Sequence, residues 1–292
     1  MKLLIVQAHG EHKENEAFRE ALNFCRAFHR LREQGEAIDP IVCGSGYYNQ
    51  KNLKSRIEWA DVIFCVENYE RGNWIPSMLT NKALRVFWTI DSHVRFQPHL
   101  HFARKHCFDL VLSSTAEIVP QWEAEGFKCE WFPNAYPSDL VGLRSRKRKY
   151  DVGFCGLFPG NRKKFYDEVA AQIPMHLDTF VIGESMVQAV NEYKIHLNCN
   201  VRNDVNYRTF ETLGCGTFLL TNDTDKLSKL FKIGKHLDVF DGVDECVEKI
   251  KYYLEHETER ETMAMDGYEH VRKHHTYDVR ARQFLELVKE RI

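Results

Sequence analysis

Short apolar segments alternate with longer amphipathic ones along the whole chain, and this alternation limits the fold more than any other feature of the sequence. A short apolar run predicts a buried strand, and apolar residues that recur at steps of three and four predict a helix. The clearest helical pattern extends over residues 14–33. Strands separated by helices are typical of α/β proteins with parallel sheets.

Two series of predicted strands follow each other along the sequence. They lie at residues 3–7, 62–66, 85–90, 110–113 and 130–132 in the first half, and at 152–155, 179–182, 195–198, 217–221 and 237–240 in the second. Each series is sufficient for a sheet, so we predict two Rossmann-like domains. Because parallel sheets bind ligands outside the carboxyl ends of their strands, we expect the domains to face each other across a ligand-binding cleft.

A polar segment between the two series predicts the domain boundary. Residues 143–150, LRSRKRKY, follow Pro133, Pro137 and Gly142 and have the composition of a linker. We therefore predict an N-terminal domain over 1–142, a linker over 143–150 and a C-terminal domain over 151–275. The remaining residues, 276–292, form a predicted C-terminal helix that could pack back on the N-terminal domain.

The charges are nearly balanced, with 40 Lys and Arg against 42 Asp and Glu, which argues against a strong overall attraction to nucleic acid or an anionic membrane. The basic residues of 144–149 are either a solvated connection or a local contact for nucleic acid. The apolar run 3–6 is too short for a signal peptide or a membrane span, so we expect a cytoplasmic protein. The nine cysteines show neither zinc-ligand spacing nor a disulfide framework.

Residues 207–221, YRTFETLGCGTFLLT, are the strongest candidate for a ligand-binding turn. Arg208 and Glu211 are three positions apart and share one helix face, where Arg suits phosphate and Glu suits ribose hydroxyls. Gly214 and Gly216 allow a backbone to approach a ligand closely. The alternative is a helix with a surface ion pair and a glycine at its C-terminus.

The loop GLFPGNR, residues 156–162, precedes a predicted helix at 163–172. A helix N-terminus offers free N–H groups and a positive dipole to a diphosphate, and Arg162 would add charge. A commonplace glycine and proline turn is the alternative.

Taken in order, these segments resemble the C-terminal domain of group 1 glycosyltransferases of the GT-B fold, in particular its spore-maturation-protein branch. The resemblance rests on DVGFCG at 151–156, Arg162, the strand ending at Gly183, YKIHLN at 193–198, Arg208 with Glu211 before GCG, and the tail from residue 239. It implies that Glu211 binds the donor ribose, that Arg162 and Arg208 lie near the diphosphate, and that backbone groups lie beside the phosphates at Gly214, Cys215, Gly216 and Thr217.

One departure from the family concerns a second acidic residue. Many relatives that retain configuration carry two glutamates about seven residues apart, whereas Asp204 stands seven positions before Glu211 here. Asn203 or Asp204 would then serve the sugar hydroxyls. The stereochemistry of transfer is left open.

In the first half, FWTIDSH at 87–93 places Asp91 and His93 at the end of a predicted strand. A carboxylate beside an imidazole can act as a general base on an acceptor hydroxyl, and the resembling relatives have a similar turn. The alternative is a helix cap through Asp91 or Ser92. His9 and Gly10 follow the first strand, where they either line the cleft or form a turn.

The implied function is transfer of a hexosyl or related group from a nucleotide sugar, most simply a UDP-sugar, to a hydroxyl acceptor. A polysaccharide, a small molecule and a hydroxymethylated DNA base all remain open as acceptors, as does the oligomeric state. We expect no obligatory cofactor or metal, because the spacing of the histidines near Asp91 and the triplet Asp223-Thr224-Asp225 match no ligand pattern. The alternatives are a silent nucleotide-sugar-binding module and an epimerase-like GT-B enzyme.

Overall fold

The computed structural model describes residues 1–46, 50–67, 73–79, 82–144, 147–158, 162–200 and 203–291. The chain divides into two compact units. Unit 1 comprises Met1–Pro133 and Tyr277–Ile292, and unit 2 comprises Asn134–Thr276. Each unit has its own parallel sheet and its own hydrophobic core. Within the described ranges, no helix is both long enough and apolar enough to cross a lipid bilayer.

Unit 1 contains a six-stranded parallel sheet in the order β2-β1-β3-β4-β5-β6. The strands are β1 (Lys2–Val6), β2 (Asp39–Cys43), β3 (Val62–Val66), β4 (Leu84–Thr89), β5 (Leu110–Ser113) and β6 (Cys129–Trp131). The helices of its first segment are α1 (Glu20–Glu33), α2 (Leu53–Trp59), α3 (Ser92–His106) and α4 (Val119–Ala124). Every residue of β3 is buried, as expected for a central parallel strand whose two faces are covered.

Unit 2 contains a five-stranded parallel sheet in the order β11-β10-β9-β7-β8. The strands are β7 (Tyr150–Gly156), β8 (His176–Thr179), β9 (Tyr193–Asn198), β10 (Phe218–Asn222) and β11 (Asp238–Phe240). The helices are α5 (Arg162–Ala170), α6 (Gly183–Asn191), α7 (Tyr207–Gly214), α8 (Leu227–Leu230), α9 (Gly242–Glu255) and α10 (Glu257–His274). The last helix of the chain, α11 (Tyr277–Lys289), belongs to unit 1.

Helix α11 packs on α1 in unit 1. The Arg30 side chain on α1 donates two hydrogen bonds to the carboxylate of Asp278 on α11, at 2.7 and 3.0 Å. The rings of Phe28 and Phe284 meet with centroids 5.6 Å apart. The C-terminal helix therefore completes the core of the unit that the N-terminal half of the chain begins.

Most predicted strands coincide with observed ones, and the differences have local causes. Strand β2 was missed because it contains Pro40, which lacks an N–H group and is tolerated only at an edge such as this one. The strand predicted at 179–182 ends at Thr179, because Phe180 has a φ of 58° and leaves the extended region. The helix predicted over 14–33 begins as a 3-10 helix at Lys13–Phe18, before α1.

The basic segment predicted as a linker is part of unit 2. The Arg144 N–H donates to Asn191 Oδ1 at 2.8 Å. The Arg148 guanidinium donates to the carbonyl oxygens of Asn191, at 2.7 Å, and of Gly216. Asn191 ends α6 and Gly216 follows the end of α7, so a cation satisfies carbonyl groups at the negative ends of two helices. Ser145 and Arg146 lie outside the described residues.

This arrangement predicts that Arg148 stabilises unit 2. Arg148→Ala should lower the free energy of unfolding by about 1–3 kcal/mol, because it leaves the carbonyl groups at two helix ends without their donor. Lys149→Ala is the matched control: the Lys149 amine pairs with Glu192 at 3.7 Å on the surface, and its loss should change the stability by less than about 0.5 kcal/mol. Urea unfolding of the two variants measures the difference, and equal midpoints would contradict the assignment.

Candidate functional site

The carboxyl ends of β7 and β9 separate in unit 2. Both strands lie wholly within the described residues, and the last residue pair between them is Gly153 with His196. Beyond it, β7 continues to Gly156 beside β8, and β9 continues to Asn198 beside β10. The direction of the strand order reverses here, and open parallel sheets bind ligands at such switch points. We call this gap the β7–β9 crevice.

Arg162, the first residue of α5, bridges the mouth of the crevice. Its guanidinium donates to the carbonyl oxygen of Leu157, at 3.2 Å, and to that of Cys199. Leu157 directly follows β7 and Cys199 directly follows β9. A guanidinium in this position places a positive charge at the mouth of the crevice. The preceding loop residues 159–161, directly before the N-terminus of α5, lie outside the described residues.

Arg208 and Glu211 on α7 form an ion pair that is largely buried, which removes the alternative of a surface pair. The Nη1 atom of Arg208 donates to Oε2 of Glu211 at 2.9 Å, and the side chains are 19% and 14% exposed. Burial opposes the charge of Arg208, but the Glu211 carboxylate, together with smaller contributions from nearby thiol and phenol groups, raises the pKa of Arg208. Arg208 lies in the first turn of α7, the helix that follows the carboxyl end of β9, so the pair begins at the edge of the sheet where the crevice lies. Cys155, on the β7 side of the crevice, interacts electrostatically with Arg208.

A buried histidine connects the two sides of the crevice. The Nε2 atom of His196 on β9 accepts the N–H of Cys155 on β7 at 3.3 Å. Its Nδ1 atom lies 2.5 Å from the hydroxyl oxygen of Thr212 on α7. Burial, and then the charge of Arg208, lower the pKa of His196 far below its usual value, so the ring is neutral at neutral pH. No local sequence pattern marks this residue as part of a site.

An amide network fixes the start of α7 against the ends of β9 and β10. Asn198 Nδ2 donates to the hydroxyl of Thr221 at 3.2 Å, and Asn206 Nδ2 donates to Asn198 Oδ1 at 3.4 Å. Asn206 is the N-cap of α7, and its Oδ1 accepts the Thr209 N–H at 3.3 Å. Asn200 donates to the same Thr221 hydroxyl at 3.1 Å. Hydrogen-bond networks of this kind make the local structure rigid. In the sequence, the run of polar residues after an apolar strand is the feature that could indicate this network.

Asn203 and Asp204 lie in the chain between two members of this network, Asn200 and Asn206. The Nδ2 atom of Asn203 donates to Oδ2 of Asp225 at 3.3 Å, and Asp204 is 9% exposed. Asp223 Oδ1 accepts the N–H of Thr224 at 2.8 Å. Within the part of the chain that the structure describes, no group of three or more His, Cys, Asp or Glu side chains is arranged to hold a metal ion.

The structure corrects the expected position of Gly214, Cys215, Gly216 and Thr217. Helix α7 leads from the carboxyl end of β9 to the amino end of β10, so these residues lie at the edge of the sheet opposite the crevice. Cys215 and Thr217 are fully buried. A Cβ atom at Gly214 would lie 2.6 Å from the ring of Tyr136, and Gly216 has a φ of 61°. These four residues serve packing and the helix end.

In unit 1, Asp91 and His93 lie where the sequence predicts, at the carboxyl end of β4. Asp91 stands at the N-cap position of α3, as the helix-cap alternative expects, but its side chain makes no capping hydrogen bond to the helix. The Nδ1 atom of His93 lies 3.3 Å from the hydroxyl of Thr115, which follows β5. Position therefore agrees with both readings of this turn, and its chemistry remains a proposal.

Glu67 is a buried carboxylate that was not predicted from the sequence. It directly follows β3 and is 1% exposed. Its Oε2 accepts the N–H groups of Ile90 and Asp91, and its Oε1 lies 3.2 Å from Nε2 of His99. Burial alone would raise the pKa of Glu67, but His99 and the two N–H groups lower it. Glu67 thus holds the turn that carries Asp91 and His93, and a charged residue directly after an apolar strand was its signal.

His9 and Gly10 follow β1 at the same edge of the unit 1 sheet. The His9 N–H donates to the carbonyl oxygen of Ser45 at 2.7 Å, and Nε2 of His9 lies 3.0 Å from Oε1 of Glu16. Gly10 has a φ of 95°. Strand β3 lies between β1 and β4 in the sheet, so His9 and Asp91 are two strands apart.

A groove of about 660 Å³ lies elsewhere in unit 2, at the junction of α9 and α10. It is lined by Gly234, Lys235, Glu255, His256, Glu257, Thr258, Glu259, Thr262, Met263 and Asp266. None of these ten is a predicted site residue, so the groove carries no part of the candidate site.

Comparisons with known proteins agree with the fold. Residues 143–286 match the family described as glycosyl transferase-like. The chain is similar to the structure of HepE from Anabaena in complex with UDP and glucose, with 12% sequence identity, 99% of each chain covered and a TM-score of 0.70. It is also similar to sucrose-phosphate synthase from Thermosynechococcus elongatus, with 10% identity, coverage of 99% of this chain and 98% of that chain, and a TM-score of 0.68.

A third solved structure, the N-terminal domain of trehalose-6-phosphate phosphatase from Candida albicans, has 9% identity, coverage of 100% of this chain and 97% of that chain, and a TM-score of 0.68. No curated protein sequence matches the chain. The predicted GT-B fold with two Rossmann-like units is confirmed. The spore-maturation-like branch stays a prediction.

Proposed function

We propose that this protein is a glycosyltransferase that moves a hexosyl group from a UDP-sugar to a hydroxyl acceptor. The observation that carries the proposal is the largely buried Arg208–Glu211 pair beside the crevice that Arg162 bridges, all within the segment that matches the glycosyl transferase-like family. The HepE structures with UDP and with UDP-glucose support the choice of donor.

Arg162 and Arg208 are the proposed diphosphate residues. A guanidinium binds phosphate oxygens through paired N–H groups and keeps its charge at any physiological pH. The Nε atom of Arg162 is buried and has no hydrogen-bond partner among the described residues, so this side chain retains a donor for a ligand. Together the two cations would offset the charge that develops on the departing UDP.

Glu211 is the proposed ribose ligand. A carboxylate can accept hydrogen bonds from both ribose hydroxyls, and the ion pair with Arg208 holds the Glu211 carboxylate in place. Asn203 and Asp204, ahead of α7, are proposed for the hydroxyls of the transferred sugar. Gly214, Cys215, Gly216 and Thr217 are no longer part of the proposed donor site, because they lie at the other edge of the sheet.

Asp91 and His93 of unit 1 are proposed on the acceptor side, with His9 and Gly10 at the same edge. In an inverting reaction the acceptor oxygen bonds to the anomeric carbon, the bond to the diphosphate breaks, and His93 or Asp91 takes the acceptor proton. In a retaining reaction the two side chains would orient the acceptor. We propose no obligatory metal or cofactor. A cytoplasmic location is proposed because all nine cysteines are free thiols.

The direct experiment is incubation of the full chain with UDP-glucose, other UDP-sugars and GDP-sugars, with release of the nucleoside diphosphate as the readout. We expect release from a UDP-sugar that added EDTA does not abolish. Tight binding of the nucleotide sugar without any release would favour the silent binding module. Conversion of the intact donor to another UDP-sugar would favour the epimerase-like alternative.

Glu211→Gln should weaken UDP binding about 10- to 100-fold, because a charged hydrogen bond to a ligand contributes on the order of 1.5–3 kcal/mol. Gln is a cleaner substitution than Ala, since Ala would leave the buried charge of Arg208 without a partner. Calorimetric titration with UDP measures the change. Glu269→Ala, whose side chain is 68% exposed on α10, is the control. Unchanged affinity in Glu211→Gln would remove Glu211 from the ribose site.

Asp91→Asn and His93→Ala should leave UDP affinity unchanged and lower turnover. If one of them is the general base, the loss should be about 100- to 10,000-fold in rate for that variant. Parallel titration and turnover measurements separate the two effects. Wild-type turnover in both variants would return this turn to the role of a helix cap.

A further inference from the structure

His196 occupies the position at which the backbone pairing of β7 with β9 stops. It is fully buried, and it belongs to the last residue pair of the two strands. Continued pairing would hold the strands about 4.8 Å apart and leave no room between them. The geometry of the crevice therefore depends on what replaces the missing backbone bonds at this point.

When the two strands separate, the Cys155 N–H loses the carbonyl acceptor that continued pairing with β9 would provide. Cys155 is 1% exposed, and a buried N–H without an acceptor is costly. The Nε2 atom of His196 accepts this N–H at 3.3 Å and so replaces a carbonyl oxygen of β9. The side chain allows the strands to separate without leaving a polar group unsatisfied.

The two contacts of the ring fix its protonation state. A backbone N–H can only donate, so Nε2 must carry a lone pair. The proton of the neutral ring is then on Nδ1, where it donates to the hydroxyl oxygen of Thr212. A second proton on Nε2 would make that atom a donor as well, and it would then face the Cys155 N–H with no acceptor between them. The ring can make both hydrogen bonds only in its neutral form with the proton on Nδ1.

We infer that His196 is a positioning residue of the donor site; this inference rests on the proposed function. Through Cys155 it holds the end of β7, which leads to the Leu157 carbonyl that binds Arg162. Through Thr212 it holds α7, on which Arg208 lies four residues earlier on the same face. The ring sets the spacing of the two cations proposed for the diphosphate, and being fully buried it acts without touching the donor.

Two substitutions at position 196 separate positioning from simple packing. In His196→Gln the amide oxygen can reach the place of Nε2 and accept the Cys155 N–H, whereas the shorter side chain of His196→Asn cannot. We expect UDP to bind about tenfold more weakly to His196→Asn and within about threefold of wild type to His196→Gln. His256→Asn, at an exposed histidine between α9 and α10, is the control and should bind UDP as wild type does.

A spectroscopic measurement reads the ring directly and needs no ligand. Nitrogen-15 NMR of the folded wild type should show His196 protonated at Nδ1 and unprotonated at Nε2, the reverse of the common neutral form. Thr212→Val, which keeps the shape of the side chain and removes the acceptor of the Nδ1 proton, should shift these signals and weaken UDP binding. This variant keeps the inference testable if the substitutions at 196 do not fold.

The inference is supported if Asn weakens UDP binding, Gln restores it and the ring carries its proton on Nδ1. It is overturned if folded His196→Asn binds UDP as wild type does, if Gln performs no better than Asn, or if Nε2 carries the proton. Failure of wild type to bind either UDP or UDP-glucose would instead contradict the proposed donor. The NMR result would then decide alone whether His196 bridges β7 and α7.

Discussion

The end of the backbone pairing between β7 and β9 is the constraint on which the candidate donor site depends. Both strands continue past Gly153 and His196, but each continues only beside its outer neighbour. Two strands can separate inside a buried sheet only if side chains satisfy the exposed N–H and C=O groups. His196 accepts the N–H of Cys155, and Arg162 donates to the carbonyl oxygens of Leu157 and Cys199. The residues that line the crevice therefore also form hydrogen bonds with the backbone groups that the separation of the strands exposes.

Each unit has a largely buried carboxylate near the carboxyl edge of its sheet, and the two carboxylates are held by different kinds of contact. Glu211 is paired with Arg208, and its carboxylate helps to stabilise the charge of that guanidinium. Glu67 is held by two backbone N–H groups and His99. Burying a charge costs several kcal/mol unless it is paired and hydrogen-bonded, with about 20 kcal/mol as the idealised limit. Such groups at the ligand-binding edge of a parallel sheet are candidates for function as well as for rigidity.

A local sequence pattern was sufficient to predict which of the candidate residues lie next to each other. Arg208 and Glu211 share a face because helix geometry fixes steps of three, and the carboxyl end of β4 follows from one apolar run. Glycines were less informative: Gly214 and Gly216 suggested an approach to phosphate, but one packs against Tyr136 and the other ends a helix. A glycine reports only that a side chain would not fit, and the fold decides what occupies the space.

The basic run of residues 144–149 illustrates the same limit. Its composition predicted a linker or a contact for nucleic acid, whereas Arg148 binds carbonyl groups at the ends of two helices, on residues that lie 43 and 68 positions later in the chain. Glu67 and His196 escaped notice because each looks like a single polar residue at or within an apolar strand. Their partners come from other strands and helices, which no local pattern reveals.

The sequence by itself determined the α/β class, the two sheets and the position of most strands, because the spacing of apolar residues depends on local geometry alone. It also placed Arg208 with Glu211, and Asp91 with His93. Only the tertiary structure decided which edge of the sheet each loop reaches, where β7 leaves β9, and which buried groups meet there. Those outcomes depend on the order in which parallel strands assemble, and that order joins residues that are distant in the sequence.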